Sequence, residues 1–220
     1  MTEPSEHHFS TADIDAMAQR YRANFINSLS GFKSANVVGT RSDKAENLAI
    51  ISSVFHVGAN PPLLGMLIRP HTVVRDTLEN ILSAKHYTIN HVGTDWIDKA
   101  HQTSARFEPD VSEFSECGLT PWYSPECVAP YVLESRLQIG LTYSEHFTLE
   151  NDTVLVIGNI QEVIVKGDAM HNDGYVDIEA LGSACISGLD SYHQTQRLAQ
   201  FEYAKPDQPV KKKSPQGTER

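Results

Sequence analysis

Long apolar runs are missing from this chain. No stretch approaches the roughly 18 consecutive apolar residues that a membrane helix needs, so no membrane partner is expected. Cysteine is scarce as well: Cys117, Cys127 and Cys185 make an odd set without framework spacing, as in a reducing compartment. The opening MTEPSEHHFS is acidic and polar and lacks the apolar centre of a secretory signal, so the expected location is cytoplasmic. Positive charge is in deficit, 18 Lys and Arg against 28 Asp and Glu, and a net charge of −10 argues against nucleic acid as a partner. The densest basic run, Lys211 to Lys213, sits in a Pro-, Gln- and Ser-containing tail and reads as a solvated terminus.

Several chemistry-bearing motifs are absent too. There is no G-x-G-x-x-G after a strand, no G-x-x-x-x-G-K-S/T, no H-E-x-x-H and no G-x-S-x-G. Dinucleotide-fold, P-loop, zincin and common hydrolase readings therefore lose their main support. Ten histidines share no ligand spacing, and no metal is expected. Cys185 and His193 are a nucleophile and base only in principle, because a small buried Cys is usually packing.

What is present is an ordinary globular composition, 40% hydrophobic and 21% charged over 220 residues, sized for one domain. Ile14, Met17, Tyr21, Phe25 and Leu29 recur at spacings of three and four, which predicts one amphipathic helix across 11–30. From Ala35 to Pro70 the pattern becomes strand: ANVVGT, LAIISSVFHV and LLGMLI, separated by RSDKAEN and GANPP. RDTLENILSAK reads as a helix with Leu78, Ile81 and Leu82 on one face, Asp76 as N-cap and Glu79 three residues on. HYTINHV is a strand and DWIDKAHQTSARF a helix, and 109–128 reads as a long loop of the functional kind. YVLESRLQIGLTYSEHFTLE and TVLVIGNIQEVIV form a hairpin turning at Asn151 and Asp152, after which the pattern is mixed. The expected class is β-rich α+β, a barrel with flanking helices.

One stretch suggests a site. In NLAIISSVF the apolar residues occupy both strand parities, so neither face is fully solvated, and Asn47, Ser52 and Ser53 need hydrogen-bond partners. A planar, polar-edged ring against this strand would supply them. Arg69, Arg75 and Thr77 gather near the start of a helix, whose free amides and dipole favour an anion. The bland alternative, a buried strand with serines bonded to neighbouring backbone and surface arginines beyond it, fits these residues equally well.

The same residues carry a resemblance. Asn47, Ala49 and Ser52, then Pro61 and Pro62, then Arg75, Asp76, Thr77, Asn80 and Ile81, then Asn90, follow the order of the flavin reductase-like, FMN-binding split-barrel proteins. The similarity runs from about Phe32 to Lys166, more loosely through SEFSECGLT and VAPYVLES. The resemblance implies a single split β-barrel domain over 11–204, with a flexible N-terminus at 1–10 and a disordered basic tail at 205–220. It also implies a homodimer flanking FMN, with FAD as the alternative. The flavin would be held by Asn47, Leu48, Ala49, Ser52, Ser53, Arg69, Arg75, Asp76, Thr77 and Asn80.

By the same resemblance, the flavin would take hydride from NADH or NADPH. It would pass electrons to free flavin, a small-molecule acceptor or a redox partner protein, with no side chain required as acid or base. The segment Gly158, Asn159, Ile160 departs from the Gly-Asp-His of short-chain reductases. In a longer branch of the family the C-terminal segment is similar to GLDSYHQTQRLAQFEYAKP, which makes Tyr192 and His193 candidates for the ring's surroundings. Rival expectations are an FMN-binding electron carrier or flavin-sequestering protein without nicotinamide turnover, and a split barrel that binds another ligand such as haem.

Overall fold

The computed structural model describes residues 6–70, 76–108 and 110–213. Its elements are α1 (Thr11–Ala16), α2 (Gln19–Leu29), β1 (Lys33–Ser34), β2 (Asn36–Arg41), β3 (Glu46–Ile51), β4 (Val54–Ala59), β5 (Pro62–Ile68), α3 (Asp76–Ala84), β6 (His86–His91), α4 (Ile97–Gln102), α5 (Glu113–Glu116), β7 (Pro121–Ser124), β8 (Cys127–Val132), β9 (Leu137–Thr148), β10 (Val154–Val165), β11 (Cys185–Ser187) and β12 (Ser191–His193).

Seven strands form one antiparallel sheet in the order β3-β2-β6-β9-β10-β5-β4. Its two edge strands, β3 and β4, are halves of one run of chain with only Ser52 and Ser53 between them. The first half pairs with β2 and the second with β5, so the sheet curls until its edges meet at that joint. The Leu67 amide donates to the Ser53 carbonyl at 3.0 Å and ties the joint to β5. A closed sheet removes most of the exposed edge that would otherwise invite aggregation.

Alternation along these strands builds two cores. Val38, Met66, Tyr87, Ile89, Leu141 and Val156 fill the barrel, and Leu78 and Ile81 of α3 plug it. Fully burying Ile81 contributes roughly 1.5–3 kcal/mol. On the other side of β3 and β2, Val37 and Leu48 pack with Trp96, Phe114, Leu119 and Ile186. Both faces of β3 are thus covered, as its unbroken apolar pattern implies. Asn90, the family's strand-ending asparagine, is fully buried and structural, donating to Val37 O and accepting from the Val132 amide at 3.1 Å.

Four expectations change. The predicted N-terminal helix is two helices, broken where Met17 and Ala18 adopt extended backbone. Neither buries a residue, so no core packing holds the apolar stripe in line. The long loop at 109–128 contains α5 and the β7–β8 hairpin, anchored by buried Phe114, Leu119 and Cys127. Asp76 is the first helical residue of α3, within the first turn rather than at the cap. The mixed segment after residue 175 supplies β11 and β12, which pair with β1 in a small second sheet. Further on, the chain folds back on itself, with Glu202 N donating to Lys211 O and Lys213 N to Gln200 O.

Candidate functional site

Asn47 and Glu113 organise one end of the predicted strand. The Asn47 carboxamide nitrogen lies 3.0 and 3.1 Å from the two carboxylate oxygens of Glu113, and the Leu48 amide donates to Glu113 Oε2 at 2.9 Å. Its carbonyl oxygen accepts from Thr77 Oγ1 at 3.0 Å and Thr40 Oγ1 at 3.2 Å, and Asn80 Nδ2 donates to Thr40. The network joins β3, β2, α3 and α5. Asn47 therefore has its hydrogen-bonding capacity filled from within the protein. Burial drives the Glu113 carboxyl up from its ordinary value and the neighbouring Asp76 charge adds to this, while hydrogen bonds from Leu48 and Asn47 pull the other way.

The Leu48 contact fixes the geometry of the strand edge. Because its amide points away from β2, the alternation of an antiparallel ladder turns the N–H and C=O of Ile50 outward too. Among the described residues no strand pairs with that side of β3. Glu113 occupies the edge at Leu48 and leaves it open at Ile50.

At the other end of the run stand Ser52, Ser53 and Arg69. Continuing the β4–β5 register from Val54 opposite Met66, and Ser53 opposite Leu67, brings Arg69 beside the β3–β4 joint. Arg69 is exposed and both serines are half-buried, and their side chains make no hydrogen bond among the described residues. Ala49 lies between the clusters, its small side chain on the same face as Asn47. From Asn47 to Ser52 the strand covers about 16 Å.

The predicted residues thus divide. Asn47, Thr77 and Asn80 belong to the supporting network, with Leu48 buried on the opposite face. Among the described residues Ser52, Ser53 and Arg69, beside Ala49, have no hydrogen-bond partner for their side chains, and nor does Asp76, which lies apart from them in the lining of the adjoining cleft. Arg75 lies outside the described residues. Thr77 hydrogen-bonds at the Asn47 end while Arg69 stands at the far end, so the strand separates two residues predicted to share one anion. Glu113 and Thr40 are the residues that sequence reasoning missed. Glu113 stood in the quoted SEFSECGLT, and the signal was a carboxylate directly followed by a phenylalanine that must be buried.

A cleft of about 340 Å³ opens beside the network. Among the described residues Asp43, Glu46, Asp76, Glu79, Glu108 and Glu113 line it, with Lys44 as the basic side chain. Among the described residues this lining is acidic. The other polar set, the edge of Ile50 and then Arg69 with the hydroxyls of Ser52 and Ser53, has the chemistry to meet a ring's polar rim and an anionic tail.

The C-terminal candidates point to opposite sides of β12. Tyr192 Oη is 3.0 Å from His101 Nδ1, and burial raises its phenol to about 12. His193 Nε2 is 2.8 Å from Ser187 Oγ, and its ring packs edge-on to Phe32. Cys185, opposite His193 in the ladder, is half-buried. Burial raises its thiol, which opposes a thiolate nucleophile. Among the described residues no cluster of His, Cys, Asp or Glu has a metal-holding arrangement, and no helix is long and apolar enough to cross a membrane.

A barrel closed at a two-residue joint, with one open strand edge, defines a split-barrel domain. The family model for the flavin reductase like domain matches residues 32–179, and the chain belongs to that family. It is 50% identical, with a TM-score of 0.87, to a Shewanella frigidimarina NCIMB 400 split-barrel protein provisionally described as a flavin reductase, over 90% of this chain and all of that one. More distant folds include nitrilotriacetate monooxygenase component B of Bacillus cereus (18% identity, TM-score 0.78, 91% of this chain and 100% of that chain). Another is flavoredoxin of Desulfovibrio vulgaris (Miyazaki F) (21%, TM-score 0.66, 80% and 92%). An uncharacterised protein of Aquifex aeolicus (strain VF5) is 32% identical over 93 residues, 41% of this chain and 47% of that protein, so the match spans about half the length of this curated relative.

Proposed function

We propose that this chain binds FMN along the β3–β4 run and acts as an NAD(P)H-dependent oxidoreductase that reduces free flavin or a small acceptor. The observation that carries the reading is the open edge at Ile50 beside Ser52, Ser53 and Arg69, which have no side-chain partner among the described residues, in a flavin reductase-like chain. Bound flavin would supply reversible two-electron chemistry, with hydride uptake from a nicotinamide. The chain's own tasks are to offer the Ile50 edge to the ring's polar rim, back it with apolar surface and neutralise the phosphate with Arg69. A mononucleotide is favoured over FAD because the adjoining cleft is acidic and repels a second phosphate.

A homodimer is part of the proposal. Phe147 of β9, in register with Leu155 and Leu67, and Phe55 and Val57 of β4, whose side chains lie over Gly65, are more than 40% exposed on the barrel's outer wall. No element of the described chain covers this apolar face, and a second copy would.

The test is the visible spectrum of the protein mixed with FMN, recorded without oxygen before and after NADH and then NADPH. Rapid bleaching of the flavin band is expected with one of the two donors. A bound flavin that stays oxidised with both would make the chain an electron carrier or flavin store. A spectrum identical to that of free FMN would remove the site.

A further inference from the structure

We infer that Glu113 is a positioning residue for the flavin edge: through Asn47 and the Leu48 amide, α5 sets the conformation in which β3 presents Ile50 to the ligand. This deepens the flavin reading and rests on it.

Glu113 is only 8% exposed, in a four-residue helix inside the segment joining α4 to β7. Its carboxylate takes the Leu48 amide, two residues along the strand from Ile50, at 2.9 Å. The same oxygens take Asn47, whose own oxygen anchors Thr77 of α3 and Thr40 of β2. One side chain thus sets the strand edge, the start of α3 and the covering segment relative to one another. A buried polar network of this kind rigidifies only while every donor meets an acceptor.

The donor pattern makes the network sensitive to the form of residue 113. An ionised carboxylate is acceptor-only and complements both the Asn47 amino group and the Leu48 N–H. A protonated carboxyl, or an amide, sets a donor against the Asn47 donor. Among the described residues the charge that acts on Glu113 is Asp76 of α3, and Glu46 of β3, Asp43 of the β2–β3 turn and Glu108 ahead of α5 line the same cleft, with Glu116 further along α5. Glu79 also lines the cleft, and among the described residues Lys44 is the cation there. The Cys117 thiol, raised by burial and by this same carboxylate, stays neutral beside it.

The experiment compares wild type, Glu113→Gln and the double variant Glu113→Gln with Asn47→Asp, which reverses donor and acceptor across the pair. Amide hydrogen exchange is followed at Leu48 and Ile50 without flavin, and FMN affinity by fluorescence quenching from acidic to neutral pH. The single variant is expected to stay folded, to exchange faster at Leu48 while the unpaired Ile50 amide stays fast in both proteins, and to bind FMN about tenfold more weakly, the loss of one charge-assisted hydrogen bond. Protonation of the FMN phosphate weakens binding in every protein on acidification, and the gap between wild type and the single variant closes as Glu113 protonates, while at neutral pH the double variant recovers most of the lost affinity. Unchanged exchange at Leu48 would overturn the positioning role whether or not flavin binds. Faster exchange with unaltered FMN affinity would show that Glu113 holds the edge for some other purpose, which also defeats the inference. A wild type that does not bind FMN at all would instead end the flavin reading, with the exchange data still reporting on Glu113.

Discussion

Tyr87 of β6 reaches over β9 to lie against Gly158 of β10, and its phenol occupies the space where a side chain at 158 would begin. A Cβ placed there would meet the hydroxyl and stand 2.9 Å from Cζ. Tyr87 is 1% exposed, so the ring has no room to retreat. Gly158→Ala is therefore expected to destabilise the protein by about 1–3 kcal/mol through overpacking. Tyr87→Phe removes the atom in closest conflict and should return part of that loss in the double variant. Equal denaturant midpoints for wild type and Gly158→Ala would contradict the packing account.

Two buried titratable groups give stability opposite pH dependences. Burial lowers the His91 imidazole to about 4, so the unfolded chain binds its proton first. The stability it confers is complete above the ordinary histidine range near 6.5 and is lost as pH falls toward 4. Glu113 is raised in the fold, so its contribution is greatest below the usual carboxylate range and is lost as pH rises through its folded value. Thermal melts across pH are expected to show a shallower acid limb for His91→Gln. Glu113→Gln should gain on wild type as pH rises. Parallel pH curves for all three proteins would show that neither group is coupled to folding.

The barrel was legible because its strands advertise themselves. Apolar residues on both parities of 47–51 predicted a strand covered on both faces, and Leu48 and Ile51 do pack into separate cores. The turn at Asn151 and Asp152 was also readable, since an aspartate tolerates the left-handed backbone that Asp152 adopts at φ 61°. Asn47 was legible as a residue needing partners, but not as one that finds them in a carboxylate 66 positions away. Pairing at that distance leaves no periodic trace. The break at Met17 and Ala18 was hidden for a related reason, because spacing reports which residues share a face and not whether a core exists for it.

The C-terminal segment is held by a small clasp. Arg197 pairs with Asp177, its amide donates to Glu179 Oε2 at 2.9 Å, and its guanidinium lies over the Tyr175 ring. Backbone donation from Ala180, and then Arg197, holds the Asp177 carboxyl below its usual range. Leu198 and Tyr203 beyond the clasp are more than 90% exposed, so they add little that would keep the segment in place. Arg197→Ala is expected to speed proteolysis after residue 197 several-fold, with the melting temperature of the barrel unchanged. The same release should occur in wild type when acid protonates Asp177. Identical cleavage rates would show that the remaining contacts, such as Lys213 with Asp173, suffice.

Arg69 gives the most direct test of where an anion binds. It is exposed, lacks a partner among the described residues and stands beside the Ser52–Ser53 joint, so its removal should alter stability by less than about 0.5 kcal/mol. Losing a charge-assisted contact to phosphate should instead weaken FMN by about tenfold. Riboflavin, which has the ring and no phosphate, separates the two ends of the site: Arg69→Ala should leave its affinity alone, whereas disturbing the Ile50 edge through Glu113 should weaken both ligands. Salt gives an independent check, because a surface contact to a phosphate is screened and the FMN preference over riboflavin should shrink as ionic strength rises. An Arg69→Ala protein that still prefers FMN over riboflavin as strongly as wild type would move the phosphate away from the β3–β4 joint.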